Sequence, residues 1–303
     1  MHAPPQRIPR LSIVIAAWNG TAALRACLAS LRGQAEAGDT EVIAVCNFTS
    51  GVAEALARDF PFARVLMLPP ESTVPVLRAA GVRVAQGEII AIAEDHCTFD
   101  RAWCAEIKKA HELPHAAIGG SVENSSGQRP LDWAVYFYDY GKYMLPNAAG
   151  SVAALSGNNV SYKRAALGEV RESYRDGFFE SVVHAALARH GHTLYLAPSA
   201  VIYHAKHYRF GDAVSQSFHL ARGHAARRAK SASSGKRLAL AAGSVLLPIV
   251  LPGRVIARTL GKRRHRKELL MSLGDLLLLL GSWSFGEFCG YALGEGESGT
   301  RWR

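Results

Sequence analysis

The feature that most constrains this chain is a series of short apolar runs, each followed by residues at helical spacing and each ending in polar side chains. Leu11 to Ala17 (Leu-Ser-Ile-Val-Ile-Ala-Ala) reads as a buried strand, Trp18-Asn19-Gly20 as a turn, and the leucines and alanines through Leu31 as a helix. Glu41 to Asn47 repeats the strand pattern, Thr49-Ser50-Gly51 supplies a turn, Val52 to Phe60 a helix and Val65-Leu66-Met67 a third short strand. Val74 to Gln86 is helical, Gly87 stops it, and Glu88 to Ala93 is an apolar strand that runs into Glu94-Asp95-His96. Alternating βα units with strands apolar on both faces predict an α/β fold with a mostly parallel, doubly covered sheet.

Such sheets bind ligands beyond the carboxyl ends of their strands, which places Trp18-Asn19, Cys46-Asn47 and Glu94-Asp95-His96 at the candidate site. The first strand is not followed by GxGxxG, and GxxxxGK(S/T) occurs nowhere, which argues against a dinucleotide fold or a P-loop.

Charge divides the chain. Residues 1–205 carry 18 basic and 19 acidic side chains, whereas 206–303 carry 17 basic against 6 acidic, so the excess of +10 lies in the last third. A basic segment faces nucleic acid or an anionic membrane, and its neighbours decide between them. Here they are apolar: Leu238 to Gly253, and Leu269 to Leu293 with five consecutive leucines from Leu276. No nucleic-acid reader motif accompanies them.

A clean span needs about 20 apolar residues. The first run is shorter and is broken by Pro248, while the second contains Asp275 and Glu287, which are costly at a bilayer centre. The segment between them ends in Lys262-Arg263-Arg264-His265-Arg266-Lys267 and would be carried outward by a full crossing. A monotopic or re-entrant hairpin on the cytoplasmic face of the inner membrane satisfies all three points; two spans and a soluble helical subdomain are the alternatives. Arg222, Arg227, Arg228 and Lys230 add to the anionic-lipid footprint. The five cysteines lack CxxC spacing and the N-terminus lacks the pattern of a secretory signal, which fits a reduced, cytoplasmic setting.

Trp133, Tyr136, Phe137, Tyr138, Tyr140 and Tyr143 fall within eleven residues. They read either as an aromatic core helix or as the wall of an acceptor pocket.

From Leu11 to His204 these pieces resemble the family 2 glycosyltransferases of GT-A fold. The resemblance rests on Trp18-Asn19 after the first strand, Arg78-Ala79-Ala80-Gly81 in a helix, and Glu94-Asp95-His96 at the family's Asp-x-Asp-like position. It continues in Gly157-Asn158-Asn159, in Phe179-Glu180 ahead of Arg189-His190-Gly191, and in a strand closing at His204. It implies a nucleoside-diphosphate sugar donor, surrounded by Ala16, Trp18, Asn19, Cys46, Asn47, Arg78, Glu94 and Asp95, with Glu94 on the ribose. It implies Mn2+ or Mg2+ held by Asp95, His96 and His204, and Asn158 and Asn159 on donor or acceptor hydroxyls. Glu180 takes the place of the catalytic base; one base gives one displacement and hence inversion. Blander roles are a cap for Asp95, a first-turn glutamate for Glu180, an exposed helical Arg78 and an ordinary strand-end His204.

Three positions depart from the family pattern: Cys46 where an aspartate would meet the nucleobase, His96 in place of an acidic residue, and Glu180 in place of aspartate. The sequence therefore predicts a GT-A domain over 1–205 and a basic, apolar helical membrane-anchoring region over 206–303. The activity it predicts is an inverting, metal-dependent glycosyltransferase acting on a lipid-linked or saccharide acceptor in cell-envelope polysaccharide or glycolipid synthesis. A non-catalytic GT-A-like subunit of such an assembly is the alternative. A membrane-bound nucleotidyltransferase is disfavoured, because the first strand is not followed by a glycine-rich phosphate loop with a basic residue.

Overall fold

The computed structural model describes residues 8–36, 39–48, 51–230 and 232–300. The first elements fall where the apolar runs place them: β1 (Leu11–Ala17), α1 (Thr21–Ala35), β2 (Thr40–Cys46), α2 (Val52–Asp59), β3 (Ala63–Met67), α3 (Val74–Val84) and β4 (Ile89–Glu94). Of the turn expected at Thr49-Ser50-Gly51, the first two residues lie outside the described residues; Gly51 precedes α2 with φ of 96°. β5 (Cys97–Phe99), α4 (Trp103–Ala110), β6 (Ala117–Asn124), α5 (Pro130–Asp139) and β7 (Gly150–Val152) follow. Then come β8 (Val160–Lys163), α6 (Arg164–Glu169), α7 (Glu180–Arg189) and β9 (Leu194–His204). The chain ends in α8 (Phe210–Lys230), α9 (Ser234–Gly243), α10 (Leu247–Gly261) and α11 (Arg266–Leu293).

Strands run in the order β3-β2-β1-β4-β8-β6-β9-β5, with β7 on β9. The half from β3 to β4 is wholly parallel. Beyond β4 the sheet is mixed: β8 is antiparallel to both neighbours, β6 and β9 are parallel, and β5 and β7 lie antiparallel to β9. All seven residues of β1 are buried, the condition of a strand covered on both faces. Gly81 brings α3 onto it, since a Cβ there would sit 2.2 Å from Val14 Cγ1. Arg78, one turn earlier, is thereby pressed against the sheet and is 7% exposed, not the solvated helical arginine of the blander reading.

The chain divides into two compact units, Met1–Ser125 with Tyr143–Ala205 and Ser126–Lys142 with Lys206–Arg303. This differs from a division into 1–205 and 206–303 in one segment. α5 buries Leu131, Trp133, Tyr136 and Phe137 in the helical unit, where Tyr138 meets Trp283 at 5.5 Å and Trp133 meets His265 at 4.7 Å between ring centres. The aromatic helix is thus core of the helical unit, while Tyr143 belongs to the sheet unit.

Within the helical unit, α8 and α11 approach closely because Gly286 and Gly290 lack side chains. A Cβ on either would lie 2.3 Å from the Phe218 carbonyl oxygen or 2.4 Å from that of Arg222. Glu287 is offset by Arg228 at 2.8 Å and by the Trp283 indole at 3.1 Å. Arg237 donates to the carbonyls of Tyr291 and Ala292, satisfying the end of α11. The first apolar run extends further than the sequence pattern implied, because helix continues on both sides of it. Ser234–Gly261 and Arg266–Leu293 are each 28 residues, long and apolar enough to cross a membrane, yet only 22% and 39% of their most apolar stretches are buried. Leu238, Val245, Ile249, Leu270, Leu278 and Phe285 stand exposed.

A buried histidine in the sheet unit gives a test of stability. His111 Nε2 meets Ser161 Oγ at 2.8 Å, and burial, then Lys163 and Arg10, lowers its pKa from 6.5 to about 3. The folded value lies below the unfolded one, so the neutral ring's contribution is complete above about pH 6.5 and is lost as pH falls towards 3. The thermal midpoint is expected to fall across that window and to fall less steeply in His111→Gln; the same slope in both proteins would place the acid sensitivity elsewhere.

Candidate active site

Register puts the site together. Ala16 pairs with Glu94 across β1 and β4, and Ala17 with Cys46 across β1 and β2, so all three strand ends deliver their polar residues to one edge. Gly20, with φ of 102°, turns the chain after β1. Trp18 N and Asn19 N then donate to Asp95 Oδ2 at 2.8 and 2.6 Å, and Asn19 Nδ2 donates to Asp95 Oδ1 at 2.7 Å. Asp95 N reaches back to the Ala16 carbonyl at 3.3 Å. Asp95 is 1% exposed, and it caps the turn after β1, not the segment that follows Asp95 itself.

Arg78 joins two acidic residues from different elements. Its Nη2 pairs with Glu94 Oε1 at the end of β4, and its Nη1 lies 3.0 Å from Glu180 Oε2 at the start of α7. The Glu180 carboxylate rests on Gly157, where a Cβ would come within 2.8 Å of Glu180 Cδ. Sequence reasoning missed this seat for Glu180, although Gly157 opens the Gly-Asn-Asn motif. Burial opposes charge on Arg78, but Glu94 first and Glu180 second outweigh it, and its pKa lies above the usual value. Side-chain exposure is 20% for Glu94 and 35% for Glu180, so both remain reachable from solvent.

The other expected residues divide. Cys46 is fully buried, and burial, with Asp95 nearby, pushes its thiol up to about 12, leaving a neutral group poorly suited to reading a base. Asn47 ties down the segment between β3 and α3, donating to the carbonyls of Pro70 and Ser72 at 3.2 and 3.1 Å. Asn158 is 2% exposed; its Oδ1 accepts from Ser156 Oγ at 2.6 Å and its Nδ2 faces Cys97 Sγ at 3.6 Å. Asn159 is placed inside the sheet unit and not at the strand-end edge. Wholly buried, it accepts from Trp103 Nε1 and donates to the carbonyls of Ser121 and Ala200, each at 2.9 Å, which splints β6 to β9.

Asp95, His96 and His204 lie together. His96 Nδ1 is 3.7 Å from Asp95 Oδ1, and its ring meets that of His204 edge-on at 4.7 Å. The pairing of Cys97 with His204 across β5 and β9 sets this contact. Among the described residues no three His, Cys, Asp or Glu side chains are already arranged as a cage for an ion. The donor types nonetheless fit one: a carboxylate oxygen with a single hydrogen bond, Asp95 Oδ1, beside imidazoles is a set that suits Mn2+ when a ligand supplies further oxygens. His96 stands apart from the other two, because both its ring nitrogens face protein groups, Asn19 at 3.0 Å and Glu94 at 3.3 Å.

The chain resembles solved glycosyltransferase structures. It matches a mannosyltransferase, PcManGT, from Pyrobaculum calidifontis, in complex with GDP-Man and Mn2+, with a TM-score of 0.56 at 14% identity over 93% of this chain and 88% of that one. It matches GalNAc-T7 with UDP, GalNAc and Mn2+, with a TM-score of 0.51 at 12% identity over 67% of this chain and 45% of that one. At these identities the likeness establishes the GT-A fold. No curated protein matches the sequence. The family described as Glycosyl transferase family 2 matches residues 12–171, more than half of the chain and including the turn after β1, Arg78, Glu94, Asp95 and Gly157, and the chain belongs to that family.

Proposed function

We propose that this chain is an inverting glycosyltransferase that moves a sugar from a nucleoside-diphosphate donor to an acceptor held at the cytoplasmic face of the inner membrane. The observation that carries the reading is the pair of carboxylates on one guanidinium: Arg78 holds Glu94 at the carboxyl end of β4 and Glu180 at the start of α7. Glu94, at the carboxyl end of β4 where ligands of such sheets bind, meets the donor's ribose. Glu180, on the separate helix, accepts the proton of the attacking hydroxyl. Asp95 and His204 would hold Mn2+ or Mg2+, which, when bound, offsets the charge that develops on the departing diphosphate. Arg78 supplies fixed positive charge beside them and aims the base. Trp18 and Asn19 border the donor, while Asn158, 2% exposed, is held inside by Ser156 and Cys97.

The helical unit supports the membrane part of the reading. Exposed Ile249 and Leu260 share α10 with the exposed Arg254, and exposed Leu270 follows the exposed Arg266 and Lys267 at the start of α11. Apolar and basic groups side by side suit insertion to headgroup depth over anionic lipids, not a dry crossing. A lipid-linked saccharide or a lipid is then the acceptor, in envelope polysaccharide or glycolipid synthesis. In cell fractionation the protein is expected to resist high salt and carbonate and to need detergent; release of intact protein by salt alone would contradict insertion.

The deciding experiment incubates purified protein with Mn2+ and a panel of sugar nucleotides and follows transfer and donor hydrolysis by mass spectrometry. Neither product above an enzyme-free blank would sink the transferase. The buried Cys46 favours the second reading, a non-catalytic subunit, and calorimetry with nucleotide and metal separates the two, since a scaffold need bind neither.

A further inference from the structure

We propose that a cavity between β7 and the second half of α7 binds a neutral saccharide, and that it holds an inner sugar of the acceptor behind the one attacked at Glu180. The acceptor role rests on the reading of Glu180 as the base, but the saccharide site stands on the cavity alone.

The cavity measures about 380 Å³, within the range of about 300–1,000 Å³ that takes small ligands. Ser151 and Val152 of β7 line one side, His184 and Ala188 of α7 the other, and His192 and Thr193 the end. A tight return of the chain creates it. Gly191 ends α7 with φ of 81°, His192 N donates back to the Leu187 carbonyl at 3.0 Å, and β9 then starts at Leu194, which pairs with Val152.

Chemistry selects the occupant. Among the described residues that line the cavity none is a lysine or arginine, so a diphosphate finds no permanent countercharge, and none is a carboxylate to hold a cation. The polar groups are fixed in place. His192 Nε2 lies 2.9 Å from Glu169 Oε2, Thr193 Oγ1 meets His115 Nδ1 at 2.7 Å, and His184 Nε2 meets Tyr162 Oη at 3.0 Å. A hydrocarbon chain would strip water from these imidazoles and hydroxyls and offer nothing in return. Imidazole and hydroxyl groups beside the short apolar side chains of Val152 and Ala188 instead suit a pyranose, which carries hydroxyls around an apolar face.

Position ties the cavity to the base. Glu180, His184 and Ala188 follow one another at intervals of four residues, which stacks them along one face of α7, and Ala188 stands about 12 Å along the axis from Glu180. The opposite wall leads the same way, since the chain that leaves β7 at Val152 goes on to Gly157, against which the Glu180 carboxylate rests. A saccharide with one end at Glu180 therefore lays its following units between the two walls, whereas a monosaccharide there does not reach the cavity.

Saturation-transfer NMR with cellobiose, maltose, lactose and N,N′-diacetylchitobiose tests the site, with UDP and hexanoate as the anionic and hydrocarbon comparisons. At least one disaccharide is expected to bind and to shift the backbone amide signals of Ser151 and Thr193. Ala188→Trp, which fills the cavity from an exposed helical position, should weaken that binding about tenfold, and the smaller Ala188→Leu about threefold. Ala185→Trp, exposed on the same helix but outside the cavity, should leave it unchanged. Transfer is then compared between each disaccharide and the methyl glycoside of its monosaccharide. Wild type should favour a disaccharide by about tenfold in kcat/KM, and Ala188→Trp should lose most of that preference. Failure of every disaccharide to bind, binding undisturbed in both Ala188 variants, or amide shifts at Ser151 and Thr193 with UDP or hexanoate alone would overturn the site. An equal preference in wild type and Ala188→Trp would remove the acceptor role from a working transferase. Wild-type protein that binds a disaccharide there yet shows neither transfer nor donor hydrolysis sinks the transferase reading instead, and leaves the saccharide site standing.

Discussion

Glu180→Gln is expected to lower sugar transfer by about 10²- to 10⁴-fold, the range of a lost general base, while donor affinity stays near that of wild type. Glutamine keeps the length of the side chain and an oxygen for Arg78 Nη1, now 3.0 Å from Glu180 Oε2, but gives up the proton-accepting carboxylate. The seat on Gly157 is unchanged by the swap. The expected signature is a fall in kcat with little change in KM for the donor, because the lost interaction belongs to the attack and not to nucleotide binding. Glu180→Asp restores the family's residue on a shorter arm; it retains the carboxylate but withdraws it from Arg78 and should lose less than glutamine does. Wild-type turnover in Glu180→Gln would remove this residue as the base and leave family and fold untouched.

The half of the fold from β1 to β4 was legible because a parallel strand covered on both faces is apolar at every position, and Leu11–Ala17 and Ile89–Glu94 announce themselves over six or seven residues. β5 and β7 have three residues each, too few for any period to show, so the mixed half is not visible locally. Position gave the site its residues, since strand ends could be read off directly. Partners were not legible, because they join distant parts of the chain: Arg78 meets Glu180 across 102 residues and Asn19 meets His96 across 77. The allegiance of α5 was hidden for the same reason, for its aromatic rings pack on α11. Asn159 misled because a buried splint and a sugar ligand draw on the same amide chemistry, and only burial tells them apart.

That splint carries the largest expected loss of stability. Gly120→Ala is expected to destabilise the sheet unit by more than about 3 kcal/mol, enough to take much of the protein out of the soluble fraction. A Cβ on Gly120 would lie 1.8 Å from the Ala200 carbonyl oxygen and 2.4 Å from Asn159 Nδ2. Neither is the movable end of a flexible side chain. The first is backbone of β9, and the second is held by two carbonyl bonds while Gly120 N itself donates to the Asn159 carbonyl at 3.2 Å. The register between β6 and β9 shifts between Gly119 and Ser121, so the strands cannot slide to make room without losing one side of the pairing. Gly168→Ala is the control: it lies in α6 with nothing within 4 Å of its added carbon and should be neutral or slightly stabilising. Asn159→Ala tests the same locus from the other partner. It should lower stability by about 1–3 kcal/mol by leaving the Trp103 indole and two carbonyls unsatisfied, with donor affinity retained in the folded fraction. A stable Asn159→Ala protein that had lost only sugar binding would return Asn159 to the ligand role and remove the splint.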